Sequence, residues 1–132
     1  MASTSESVAL LNVVVAAATS GSKGSPGAIT AGGFFNNIGR YNSPVGVYIK
    51  NGDLAPGAPV TVVIQVADAE SGPWTDYETI LGETAAYSAG SLAGLVTRTI
   101  VLEKVRYVRA IAFGNTSQDV EVKVRLHSVT GL

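Results

Sequence analysis

The chain has 132 residues, 46% of them hydrophobic and 14% charged, against about 25% charged in an average soluble domain. Nine Lys and Arg face ten Asp and Glu, a formal charge of -1, which leaves no large basic surface for nucleic acid and excludes intrinsic disorder. The sequence has no Cys, so disulfides and thiolate chemistry are out, and the length suits a single domain, residues 1–132, with its own core.

The first element is the apolar run from Val8 to Ala18. A membrane-crossing helix needs about 20 apolar residues; this run is shorter and contains Asn12. No Lys or Arg precedes Lys23, so the positive start of a secretory signal is missing, although small residues after the run keep a signal peptide as a competing reading. The run reads as a Val-rich N-terminal strand or arm buried on both faces. Residues 19–44 are rich in Gly, Ser, Pro and Asn and read as loops around one short strand near Gly33 to Ile38. Together these make 1–43 an arm-and-loop region.

From Val45 onward the period is two. Val45, Val47 and Ile49 share a face, and Asn51-Gly52-Asp53 supplies a turn. Val60, Val62, Ile64 and Val66 line one side of the next strand, with Thr61, Val63, Gln65 and Ala67 on the other. A strand from Trp74 to Leu81 places Tyr77, Thr79 and Leu81 together, and a Gly-bracketed loop follows. Val96, Ile100 and Leu102 mark another strand. Val105, Tyr107, Ile111 and Phe113 then alternate on a face that Arg109 interrupts. Finally Val120, Val122, Val124 and Leu126 alternate with Glu121, Lys123, Arg125 and His127, one core face and one wet or interfacial face. No stretch has helical spacing with caps. Seven or eight short antiparallel strands in one domain predict an all-β fold, a single-domain β-sandwich in which each strand buries one face against the other sheet.

Little in this pattern carries catalytic chemistry. The single histidine, His127, sits on the polar face of the last strand. No Ser stands in a G-x-S-x-G context, and a triad would further need a carboxylate partner such as Asp76 or Glu78. The acids Asp68, Glu70, Asp76 and Glu78 bracket Gly72-Pro73-Trp74. Their spacing falls short of a calcium loop, and hairpin turns collect Asp and Gly anyway. Gly32-Gly33-Phe34-Phe35 lacks the strand-loop-helix context of a phosphate cradle. The expectation is therefore a non-enzyme with no cofactor, no metal, no nucleic-acid partner and no membrane segment. Trp74, Tyr77 and Tyr87 offer flat rings that a sugar stacks on, if they share a surface; a core Trp with Tyr at sheet edges is the competing reading.

The stretch from Pro44 to the C-terminus carries a resemblance. Gly57-Ala58-Pro59-Val60-Thr61-Val62-Val63-Ile64-Gln65-Val66 leads into an Asp/Ser/Gly turn and Trp74-Thr75-Asp76-Tyr77. After a Gly/Ala-rich loop come Arg106-Tyr107-Val108-Arg109, Gly114-Asn115 and the final alternating strand. This resembles small jelly-roll or β-sandwich virion proteins of tailed bacteriophages, above all the capsid cement, or decoration, proteins. The resemblance implies a jelly-roll-like sandwich made in the host cytoplasm and carried on the virion's outer shell. Its partners would be the major capsid protein and copies of itself, in a homo-oligomer such as a trimer. Phe34, Tyr41 and Tyr48 would be aromatic interface anchors, and Lys123, Arg125 and His127 a face toward an acidic capsid surface. The alternative is a carbohydrate-binding or host-adsorption module of a tail or fibre, with Trp74, Tyr77 and Tyr87 as its platform.

Overall fold

The computed structural model describes the backbone of residues 4–17, 29–31, 35–36, 43–102 and 107–130. Within them lie nine strands: β1 (Thr4–Val15), β2 (Ile29–Ala31), β3 (Phe35–Asn36), β4 (Ser43–Asn51), β5 (Thr61–Ala67), β6 (Thr75–Leu81), β7 (Leu95–Leu102), β8 (Tyr107–Phe113) and β9 (Val120–Thr130). There is no helix among the described residues. One sheet runs β1-β9-β4-β7; the other runs β2-β8-β5-β6, with β3 also on β8.

All the pairings are antiparallel, and β2 and β3 follow one another along the same edge of β8. Counted as one interrupted strand, they bring the fold to eight positions paired from the outside inward. The first strand pairs the last (β1 with β9) and the second pairs the second-last (β2/β3 with β8). The third then pairs the sixth (β4 with β7), and β5 pairs β6. That nested order, split over two sheets, is the jelly roll. The expected all-β sandwich is present.

The core lies between the sheets, where the alternation placed it. Val45, Val47 and Ile49 of β4 meet Val122, Val124 and Leu126 of β9, with Ile100 and Leu102 of β7 beside them. Facing them are Val62 and Ile64 of β5 and Ile80 of β6.

Four expectations need correction. The N-terminal strand is not buried on both faces: β1 is an edge strand, Val14 is 60% exposed, and among its described side chains Leu10, Leu11 and Val15 are the buried ones. A bulge between Ala9 and Leu11 lets two successive leucines face the core. In β8 the core takes Val108, Ala110 and Ala112 rather than the face of Tyr107 and Phe113. Arg109 thus interrupts the outer face, where a charge is tolerated, and Val105 lies outside the described residues. In β5 the second face is also covered, with Val63, Gln65 and Ala67 buried; Gln65 is held between Arg109 of β8 and Asp76 of β6. Among the described residues of the 19–44 segment, two short strands, β2 and β3, precede β4, instead of one.

Candidate functional site

Alternation along β9 sends Lys123, Arg125 and His127 to the outer face of the first sheet, since Val122, Val124 and Leu126 are taken by the core. The neighbouring strands complete two cross-strand rows. In one, Thr97, Tyr48 and Lys123 stand side by side; in the next, Thr99, Gly46 and Arg125 do. Gly46 has no side chain, and a Cβ built there would meet nothing within 4 Å. The missing side chain leaves a shallow open hollow of about 550 Å3, lined by these six residues with Val47, Arg98 and His127. Its size is that of a small-ligand site, roughly 300–1,000 Å3, but it is open rather than enclosed.

The hollow is basic. The Lys123 ammonium lies 5.4 Å from the centre of the Tyr48 ring and 3.2 Å from a Glu121 carboxylate oxygen. Arg98 reaches away to Glu78 of β6 at 3.4 Å. Of the six expected interface residues, the structure therefore gathers Tyr48, Lys123, Arg125 and His127 in one place. Phe34 and Tyr41 lie outside the described residues. Gly46, Thr97, Thr99 and Arg98 were not singled out in the sequence. The alternation of β4 and β7 placed the first three off the core face, but only the pairing of β4 between β7 and β9 shows that they adjoin Lys123 and Arg125.

A second constellation crosses the outer face of the other sheet. Arg109 Nε donates to Gln65 Oε1 at 2.8 Å, and Gln65 Nε2 donates to Asp76 Oδ1 at 3.0 Å. The Arg109 guanidinium lies 4.5 Å from the centre of the half-buried Trp74 ring. Burial pushes the Arg109 pKa down, by stripping water from the charged guanidinium.

The other two expected platform rings are engaged elsewhere. Tyr77 donates its hydroxyl to the Val101 carbonyl of β7 at 3.2 Å, across the side of the sandwich where β6 and β7 are the sheet edges. Tyr87 lies under Lys50, 4.4 Å from ammonium to ring centre, beside a smaller depression of about 300 Å3. His127 stands on the first sheet and Asp76 on the second, while Glu78 is paired with Arg98. Among the described residues no three His, Cys, Asp or Glu side chains are grouped to hold a metal ion.

No protein family model matches the chain, and neither does a curated protein. Solved structures superpose on it. A chain from the structure of infectious bursal disease virus, Gx strain, superposes with a TM-score of 0.52 at 8% identity, over 97% of this chain and 32% of its own length. The corresponding Gt strain structure gives 0.50 at 7% identity, with the same coverage. This chain thus spans about a third of the length of those viral chains. A protein of Bacillus endospore appendages, described as disulfide-linked pili, aligns at 16% identity and a TM-score of 0.48, over 98% of this chain and 89% of that one. At 7–8% identity the likeness to the two viral structures shows a common fold and nothing finer.

Proposed function

We propose that this chain is a structural virion protein of a tailed bacteriophage, a cement or decoration protein that binds the outer capsid between capsomers and stabilises the shell. The observation that carries the reading is the hollow on the outer face of the first sheet. It is a broad, open recognition surface on a rigid sandwich, with cations and an aromatic ring brought together by strand pairing. Catalysis favours a site that excludes water and aims fixed groups at reacting atoms; an open sheet face suits docking. The low charge of the whole chain supports the same reading, because interface cores are depleted in charged residues. The jelly roll itself is an architecture of viral capsids, and also of lectins. In this reading the chain is not an enzyme, it sits on the virion, and the major capsid protein is its partner.

The test is co-sedimentation of the purified protein with undecorated phage shells. Saturable binding that raises the shells' resistance to heat supports the proposal, and loss of that binding in Lys123→Glu/Arg125→Glu assigns it to the hollow. Absence of binding to any undecorated shell would sink it.

One observation favours the alternative of a tail or fibre adsorption module: Trp74 is only half-buried, and the Arg109 guanidinium lies 4.5 Å from its ring centre, an aromatic and a polar group together as a sugar site uses. Trp74→Ala that folds normally but loses binding on a glycan array supports that reading. A variant that unfolds shows instead that Trp74 is a packing residue.

A further inference from the structure

Most of the described cations are already engaged. Lys123 pairs with Glu121, Arg98 with Glu78, and Arg125 has a partner as well. Lys50, over the Tyr87 ring, lies in a depression shared with Asp53, Asp119 and Glu121. Arg109, on the outer face of the second sheet, is different. It is half-buried, yet it makes no ion pair with a described residue. Burial already works against its charge, and an unpaired charge drawn out of water is costly. The side chain is nevertheless fixed on two sides. Its Nε donates to Gln65 Oε1 at 2.8 Å, and Gln65 is itself 5% exposed and tied to Asp76. Its guanidinium lies 4.5 Å from the centre of the Trp74 ring, which backs it. Anchored at Nε and packed on the ring, the fork holds its two Nη groups in place, and they donate to no described residue.

An arginine fork of this kind matches the two oxygens of a carboxylate. The neighbouring Asp76 adds the opposite chemistry. It is exposed, and a carboxylate accepts several hydrogen bonds at once, so it can take a hydroxyl besides its present partners. A carboxylate and hydroxyls carried on one small ring make an acidic sugar. Orientation favours the same ligand. In the shell reading the outer face of the first sheet meets the capsid; Arg109 stands on the other sheet, with the core between, and faces away from the shell. We infer that Arg109, backed by Trp74 and held by Gln65, binds the carboxylate of an acidic sugar such as a uronic acid, with Asp76 accepting from a ring hydroxyl. Trp74 then fixes the arginine rather than serving as a stacking platform for a neutral sugar. The inference rests on the shell reading for its outward direction, whereas the binding itself is measured without a shell.

Trp74 is the single tryptophan of the chain, so its fluorescence reports on this site. The experiment is a fluorescence titration of the full chain with sodium glucuronate, and in parallel with its methyl ester, glucose and sodium acetate. Glucuronate gives a saturable change that added salt weakens. The ester and glucose lack the charge and acetate lacks the hydroxyls, and each binds at least about tenfold more weakly. Arg109→Lys keeps the charge but not the fork, and weakens glucuronate at least about tenfold. Asp76→Ala narrows the preference for glucuronate over acetate. Circular dichroism confirms the fold of both variants, and the ester comparison uses the unaltered chain, so it decides even where a variant fails to fold. No saturable response to glucuronate overturns the inference, and so does equal binding of the ester or an unaffected Arg109→Lys. Acetate binding as tightly as glucuronate overturns the sugar in favour of an acidic protein partner. Immobilised glucuronate retains the free protein and also shells that carry it; retention of the free protein alone overturns the outward placement. Sugar binding by a chain that ignores shells overturns the shell reading alone.

Discussion

Arg109 and Gln65 stand opposite each other on β8 and β5, and the arginine Nε donates to the glutamine Oε1 at 2.8 Å. Gln65 is 5% exposed and passes the chain of bonds on to Asp76 at 3.0 Å, so a buried amide links a cation to an anion across three strands. Both ends of that amide are used, which is what makes its burial tolerable. Replacing Gln65 with Met keeps the volume and removes both bonds. The expected loss is about 1–3 kcal/mol of unfolding free energy, read by urea denaturation, and a neutral result would mean that water replaces both partners at no cost.

Asn115 plays the corresponding part at the end of the sandwich. It is 1% exposed, and its Nδ2 donates to the Val15 carbonyl at 3.0 Å and the Gln118 carbonyl at 2.9 Å. One side chain therefore ties the end of β1 to the turn between β8 and β9. Asn115→Ala should cost about 1–3 kcal/mol by orphaning these carbonyls. Asn115→Asp should cost more, because it turns a carboxylate oxygen toward two carbonyl oxygens. Equal stability of the two variants in urea melts at neutral pH would contradict this.

These two side chains also show where sequence reading stops. The core face of β9 was legible because Val120, Val122, Val124 and Leu126 alternate with charges, a local signal that needs no partner. The core face of β8 was not. Ala110 and Ala112 look weak beside Tyr107 and Phe113, yet two close-packed sheets need small residues at some facing positions, and only the assembled sandwich says which. The site divides in the same way. Lys123, Arg125 and His127 come from one strand and Tyr48 from its aromatic ring, so a linear reading finds them. Gly46, Thr97 and Thr99 acquire their place from nested pairing between segments far apart in the chain. Likewise Gln65 and Arg109 are 44 positions apart, beyond the reach of any local pattern.

The ion pair between Arg98 and Glu78 joins the edge strands of the two sheets, and position suggests a clasp. The separation of 3.4 Å and side-chain exposures of 48% and 37% argue otherwise. Exposed pairs are screened by solvent and salt and give about 0–1 kcal/mol. Glu78→Gln should therefore shift stability by less than about 0.5 kcal/mol, and that small change should vanish in high salt. A larger, salt-resistant loss would show that the pair is a structural clasp after all.

Two glycines should respond to the same substitution with opposite signs. Gly94 has a φ of 74°, and a Cβ there would lie 2.6 Å from the Ala86 carbonyl carbon and from the Tyr87 amide nitrogen, both of them backbone atoms that cannot swing aside. Its carbonyl also accepts the Asn51 amide at 2.9 Å, so the segment is held from both sides. Gly94→Ala combines backbone strain with a clash and should cost more than about 1 kcal/mol. Gly46 sits in mid-strand with open space where its Cβ would go. There alanine removes conformational freedom from the unfolded chain and should stabilise by about 0.5–1 kcal/mol. Parallel urea melts of the two variants decide the matter. A Gly46→Ala protein less stable than wild type would mean that the hollow's floor is under a constraint other than packing.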